Sequence, residues 1–272
     1  MYALKPTDYP SDLPASTNYP GRSTRVEPLT SISDICKLLK LGYRPVQRTN
    51  APDLQFHHRR LRTGDRIYRP AQAFESLYVV WFGYLKVILR NFEGDERVLS
   101  FPMKGNLLGA DGICNSSYQT ECIALTDCDL IVVPFRKLLA AVRRNPELEE
   151  IVYMSISREL TEERTGISLS SPLRAQGRVA LFLETIAERH AACGYSSKEI
   201  LLPMTRHDVG CYLGLTLETV SRALSALAAT GIIAVRRKNI RILRPDLLHL
   251  IQAHSASSCR EEEPLQSPTF AL

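Results

Sequence analysis

Apolar residues follow two different spacings along this chain, and the change from one to the other marks its parts. Between residues 60 and 135 they come in short runs broken by Gly and Pro. Leu77-Tyr78-Val79-Val80-Trp81 is one run and Leu85-Lys86-Val87-Ile88-Leu89 the next. The turn signal Glu93-Gly94-Asp95-Glu96 leads into Val98-Leu99-Ser100-Phe101, and Leu130-Ile131-Val132-Val133 follows later. Runs of this length and spacing predict short antiparallel strands closed into a barrel or jelly roll. Glycines at 64, 83, 94, 105, 109 and 112 supply the turns that such a roll needs.

From residue 136 to 169 the spacing becomes helical. Leu148, Val152, Ile156 and Leu160 recur every fourth residue, with Glu149, Glu159, Glu162 and Glu163 elsewhere on the helix. A single stripe can be an ordinary core face. This helix joins two units, however, and no single core covers its whole length, so the stripe is expected to meet its own copy in a homodimer. Ser171-Pro172 predicts a break after it, and residues 178–186 read as a helix with a buried face. The expected organisation is α+β: a tail over 1–28, a β-roll over 29–135, a dimerisation helix over 136–170, a second compact unit over 171–247, and a C-terminal tail over 248–272.

Residues 204–224 carry the most information. Thr205 is suited to cap a short helix through its hydroxyl. Gly214 closes that helix and permits a sharp turn. Thr216 caps the next helix, whose buried stripe is expected to be Leu217, Val220, Leu224 and Leu227, and Gly231 ends it. This is a helix-turn-helix. The exposed side of its second helix presents Glu218, Ser221 and Arg222 near the N-terminal end, where a recognition helix meets base edges. Arg can donate twice to guanine O6 and N7, Glu can accept from cytosine N4, and Ser can serve either. Thr205, Arg206 and Thr216 stand where hydroxyls, charge and helix N-termini hold phosphates. Beyond it, Ile232-Ile233-Ala234-Val235 and Ile240-Arg241-Ile242-Leu243 flank Arg236-Arg237-Lys238-Asn239, a hairpin with a basic tip. That is the wing of a winged helix, and Arg236, Arg237 and Lys238 are expected on the DNA backbone.

Composition changes this picture only in one respect. The 272 residues are 44% hydrophobic with a formal net charge of +5, a mild excess. It is concentrated locally: residues 171–247 hold eleven Lys and Arg against six Asp and Glu, as DNA backbone electrostatics require. No apolar run approaches the roughly 20 residues needed to span a bilayer, and the N-terminus shows no apolar signal region. A cytoplasmic protein is therefore expected, with its seven cysteines as reduced thiols, none in a Cys-x-x-Cys. His57-His58, flanked by Arg59 and Arg60, reads as an exposed basic stretch. No Gly-x-Ser-x-Gly, P-loop or His-Glu-x-x-His is present, so no enzyme is expected. Two other classes stay in view. One is a ligand- or metal-binding sensor with a non-standard iron–sulfur or haem site. The other is a cupin-like enzyme, against which the scarcity of His before residue 190 argues.

The segment Thr205 to Arg222, with Tyr212-Leu213-Gly214-Leu215-Thr216 and Glu218-Thr219-Val220-Ser221-Arg222, resembles the DNA-binding signature of the CRP/FNR family of bacterial transcription regulators, and its Glu-x-x-Ser-Arg reader is that of the FNR and FixK branch. The resemblance extends over roughly residues 30–247 and includes Gly105-Asn106-Leu107-Leu108-Gly109. It implies a homodimer with an N-terminal cyclic-nucleotide-binding-like β-roll, a long dimerisation helix and a C-terminal winged helix-turn-helix. It further implies half-sites of the TTGAT…ATCAA kind, contact with RNA polymerase through the loop around Asn91 to Arg97, and control of low-oxygen or nitrogen-oxide respiration, usually as an activator.

The resemblance also shows what this chain lacks. Cyclic-AMP binders carry Glu after the Gly of the roll segment and an Arg-Ser pair further on; here those positions read Ala110 and Tyr118-Gln119. A phosphate held by Arg, backbone and Ser cannot be held alike by Tyr-Gln, so cyclic nucleotide is rejected as a ligand. In the oxygen-sensing FNR proteins four cysteines hold a [4Fe–4S] cluster. Here only Cys36 remains, the other positions reading Glu27, Thr30 and Ile131, so the standard site is incomplete and no metal or cofactor is expected. Cys122 and Cys128 read as small buried apolar residues. Glu163 aligns with the acidic residue that opposes FNR dimerisation, or is simply a solvated helix charge. Cys211, near Arg206 and His207, is a candidate redox switch through a lowered thiol pKa, and Cys36 is a second.

Overall fold

A computed structural model describes residues 29–39, 55–91, 94–144, 146–168 and 173–257 of the chain, with side chains omitted at 147, 162–168 and 252–257. The expected tail over 1–28, Cys259, Glu27 and the side chain of Glu163 lie outside the described residues. The elements run β1 (Leu29–Ser31), α1 (Ile32–Leu39), β2 (Gln55–Leu61), β3 (Arg66–Tyr68), β4 (Ser76–Phe82), β5 (Leu85–Arg90), β6 (Glu96–Ser100), β7 (Leu107–Leu108), α2 (Gly112–Asn115), β8 (Glu121–Ala124) and β9 (Cys128–Pro134). There follow α3 (Phe135–Val142), α4 (Pro146–Ser168), α5 (Ala175–Ala192), β10 (Glu199–Leu201), α6 (Arg206–Leu213), α7 (Leu217–Ala229), β11 (Ile233–Arg236), β12 (Asn239–Ile242) and α8 (Pro245–Ser257).

The apolar runs of the first half form two antiparallel sheets, in strand orders β1-β2-β9-β4-β7 and β3-β8-β5-β6. Strand alternation decides which side chains face inward. On β2 it turns His57 outward and His58 inward, so the exposed basic stretch expected at His57-His58 is corrected: His58 is 7% exposed. Its Nδ1 lies 2.9 Å from Asp129 Oδ1 and its Nε2 2.5 Å from Thr30 Oγ1. With its proton on Nδ1, facing the carboxylate, Nε2 accepts from the Thr30 hydroxyl. That arrangement pins β1 to the roll. Gly83 lies at φ +100°, and a Cβ there would meet Cys128 Sγ at 2.5 Å, so this turn admits only glycine.

The helical stretch after the roll divides at Pro146, which opens α4 as proline can at a first turn. The expected apolar stripe of α4 also divides. Leu148 is 1% exposed and joins Ile151, Leu107, Ile131 and Val133 in the core of its own roll, with Val152 and Ile156 packed partly against it. Leu160 is 51% exposed. Leu148 is therefore corrected as a dimer contact, because the roll already covers the first turns of the helix. Tyr153, which the stripe did not include, is 63% exposed.

The C-terminal unit packs α5, α6 and α7 on the sheet β10-β12-β11. Its boundary moves outward from residue 247: α8 continues to Ser257 and buries Leu248 to 1% exposure. One apolar core runs through this unit into the roll, joining Ile88, Val98 and Phe101 to Val179, Phe182 and Val209. Phe101 stands edge-on to Phe182 with ring centres 6.0 Å apart, and 5.2 Å from Tyr212.

Candidate nucleic-acid interface

The helix pair α6–α7 is built by local chemistry legible in its sequence. Thr205 Oγ1 accepts from the Asp208 N–H at 3.0 Å, and the Thr205 N–H donates back to Asp208 Oδ2 at 2.8 Å, a complete capping box. Gly214 closes α6 at φ 64°. Thr216 Oγ1 accepts from the Thr219 N–H at 3.2 Å to start α7. Gly210 was not singled out in the sequence, yet it permits the turn: a Cβ there would meet the Leu215 carbonyl oxygen at 2.5 Å. An uncapped glycine in mid-helix, four residues before the C-cap, was the available signal.

Val220, Leu224 and Leu227 are buried as expected, joined by Ala223. Leu217 is not; it is 44% exposed. It sits at the first position of α7 and at the margin of the stripe that the other four define, so the core does not reach it. On the opposite side Glu218 and Arg222 are exposed and Ser221 is half-buried. The Glu218 carboxyl is held below its usual range by its own backbone N–H, by the Thr216 hydroxyl, and more weakly by the Arg222 charge. The N-terminal part of α7 therefore presents an acceptor, a hydroxyl and a guanidinium together.

Thr205 and Thr216 are exposed and Arg206 is half-buried, its pKa drawn down by that burial. The wing is a two-residue turn between paired Arg236 and Asn239. Arg236, Arg237 and Lys238 are all exposed. Arg237 holds φ +57°, a left-handed conformation unusual for a residue with a Cβ. Lys238 donates from Nζ to the Pro203 carbonyl at 2.9 Å and so ties the wing to the segment before α6.

The thiols separate by burial. Cys36 is 1% exposed within α1, which shields it from a bulky oxidant, and Cys122 and Cys128 lie in the sheets at 0% and 4%. Burial raises the Cys128 pKa to about 11. Cys211 sits half-buried with Sγ 3.4 Å from His207 Nε2. Burial first, then the charges of Asp208 and Glu96, push its thiol pKa up, which corrects the expectation of a lowered one. Of the iron–sulfur positions, Thr30 is bonded to His58 and Ile131 is fully buried. Among the described residues no group of three or more His, Cys, Asp or Glu could hold a metal ion. No helix among them is long and apolar enough to cross a membrane.

A β-roll carrying a winged helix with an exposed, capped reader helix defines a DNA-binding regulator. Comparison with known proteins specifies which. Residues 58–145 match the cyclic nucleotide-binding domain family, and residues 177–251 the Crp-like helix-turn-helix domain family. The chain is 32% identical over 200 residues to the transcriptional regulatory protein btr of Bordetella pertussis, covering 74% of this chain and 82% of that one. It is 31% identical over 195 residues to the fumarate and nitrate reduction regulatory protein of Salmonella typhimurium, covering 72% and 78%. The solved structure of FixK2 from Bradyrhizobium japonicum superposes with a TM-score of 0.67 at 27% identity, covering 73% of this chain and 98% of that chain. The chain belongs to the CRP/FNR family of transcription regulators, with relatives of FNR type, and is not an enzyme.

Proposed function

We propose that this regulator binds, as a homodimer, two-fold symmetric duplexes with half-sites of the TTGAT…ATCAA kind. One observation carries the reading: Glu218, Ser221 and Arg222 stand together on the solvent side of α7, whose first turn Thr216 caps. In each half-site Arg222 donates to a guanine, Glu218 accepts from a cytosine and Ser221 fills between them. Thr205, Arg206 and Thr216 hold phosphates beside the reader, and Arg236, Arg237 and Lys238 extend that hold along the groove. Two-fold symmetry in the protein requires it in the site. The exposed Leu160 and Tyr153 of α4, with the part-buried Ile156 and Val152 beside them, supply the apolar surface for a second copy.

The output is activation of transcription through contact with RNA polymerase, with the loop around Asn91 to Arg97, of which residues 92 and 93 lie outside the described residues, as the contact. Similarity to proteins named fumarate and nitrate reduction regulatory protein and anaerobic regulatory protein supports a place in low-oxygen or nitrogen-oxide respiration. Selection from a random duplex pool tests the reading. Recovery of two inverted pentamers spaced by four base pairs is expected; recovery of asymmetric or unrelated sequences overturns it.

A further inference from the structure

Asp111 occupies the position before α2, where a carboxylate would ordinarily cap the helix, yet it makes no such bond. Its Oδ2 turns instead to the next segment and accepts three hydrogen bonds. They come from the Gln119 N–H, the Thr120 N–H and the Thr120 hydroxyl, each at 2.9 Å. Two successive backbone N–H groups and a hydroxyl converging on one point form an anion nest. Thr120 is 6% exposed, so its donors could not be left without an acceptor at small cost.

The place of this nest in the roll gives it meaning. It lies inside the stretch matched by the cyclic nucleotide-binding domain family, beside Ala110 and Tyr118-Gln119. Those are the positions where the sequence comparison expects the Glu and Arg-Ser of a cyclic-AMP binder. Next to the nest the Tyr118 ring stacks on Tyr68, with centroids 4.2 Å apart and planes 9° from parallel. Both rings are almost wholly buried, and the Tyr118 hydroxyl donates to the Ser76 carbonyl at 2.6 Å. Burial, above all, pushes the Tyr68 phenol well above its usual range.

We propose that Asp111 is a built-in anion that takes the place of a nucleotide phosphate, so that the roll carries its own ligand, with the buried Tyr118–Tyr68 stack packed beside it. The nest is a site for a small oxyanion, and its occupant is the chain's own carboxylate. A cyclic nucleotide finds its phosphate donors engaged and fixed negative charge where its own charge would go. This inference concerns the roll alone and does not depend on which DNA the winged helix reads.

The test uses the full chain and its Asp111→Ala variant. Thermal unfolding is followed against inorganic phosphate, and separately cyclic AMP, with sodium chloride at matched ionic strength as reference. The parent is expected to show no gain from either beyond chloride. Asp111→Ala is expected to melt lower and to regain stability saturably with phosphate, by roughly 3–5 °C at ~10 times its Kd. A merely structural aspartate gives the lower melting point without the phosphate rescue, and that outcome overturns the proposal. So does a parent stabilised by cyclic AMP. Should Asp111→Ala fail to fold, Asp111→Asn, which keeps one acceptor oxygen and loses the charge, provides the reading. The amide proton resonances of Gln119 and Thr120 are expected to move upfield in it; unmoved resonances overturn the proposal.

Discussion

Lys86, on the β5 strand of the roll, places its ammonium 2.7 Å from Oδ1 of Asp208 on the first helix of the helix-turn-helix. The other oxygen of that carboxylate closes the capping box with Thr205. One aspartate therefore shapes the start of α6 and fastens the DNA-binding unit to the roll. Both side chains are largely buried, at 15% and 7% exposure. Glu96 lies 3.7 Å from the same ammonium and is also paired with Arg90, which reaches Glu121. A connected row of charges thus runs across the roll sheet to the helix-turn-helix.

Removing the cation should leave Asp208 buried and uncompensated. Lys86→Met is expected to cost about 3 kcal/mol in urea unfolding, and Lys86→Met combined with Asp208→Asn to cost less than the single change. A cost for Lys86→Met within ~0.5 kcal/mol would show that the ammonium is effectively solvated.

The seam between the units also holds a histidine that resists protonation. His190 Nε2 lies 2.7 Å from the Tyr84 hydroxyl, and burial, followed by the Arg189 charge, lowers its pKa from 6.5 to about 4. Between those values the unfolded chain binds the extra proton and the folded chain does not, so stability rises with pH across the window. The contribution is complete above the unfolded value and is lost as pH falls toward 4. The wild-type chain should lose about 2 kcal/mol between about pH 7 and pH 4.5 from this group alone. His190→Gln should flatten that part of the urea-unfolding profile; an unchanged slope would assign the acid sensitivity to other groups.

In the proposed homodimer the divided stripe of α4 separates folding from association. Leu148→Ala should destabilise the chain by about 2–5 kcal/mol, because Leu148 fills the roll core. Leu160→Asp should leave unfolding of the separated protomer within ~0.5 kcal/mol of the parent and shift sedimentation equilibrium toward it. A Leu160→Asp protein that remains dimeric at low micromolar concentration would place the interface elsewhere.

The tip of the wing carries a charge on a backbone conformation that glycine shares. Arg237→Gly keeps the φ of +57° that glycine adopts freely, so the backbone of the turn should be retained. Duplex affinity should fall equally for all sequences, and the slope of affinity against salt should flatten by about one unit. A change in preferred sequence would mean that the wing reads bases.

The helix-turn-helix was the most legible part of the chain because local rules set it: hydroxyl caps, a left-handed glycine and a three-four apolar spacing all lie within a few residues. The roll was legible as a class, since Leu77 to Trp81 and its neighbouring runs fix strand length and spacing, but not its pairing order. What stayed hidden depended on distant partners. His58 reads as exposed beside Arg59 until β1 and β9 supply Thr30 and Asp129. Leu148 and Leu160 are equivalent in sequence, and only the roll distinguishes them. Cys211 lies near two basic residues in sequence, yet burial and the charges of Asp208 and Glu96 act on its thiol. Asp111 carries no local signal that would aim it at residues 119 and 120.

In the proposed complex α7 reads base edges as one half of a two-fold dimer. Fluorescence anisotropy on a TTGAT-N4-ATCAA duplex, with Arg222→Ala beside the parent chain, tests it most directly. The parent should bind this duplex far more tightly than one with both pentamers scrambled. Arg222→Ala should lose roughly 1–3 kcal/mol of the discrimination at the guanine position while keeping its affinity for scrambled DNA. Equal affinity of the parent for both duplexes, or an Arg222→Ala protein with unchanged preference, would rule out base reading by α7.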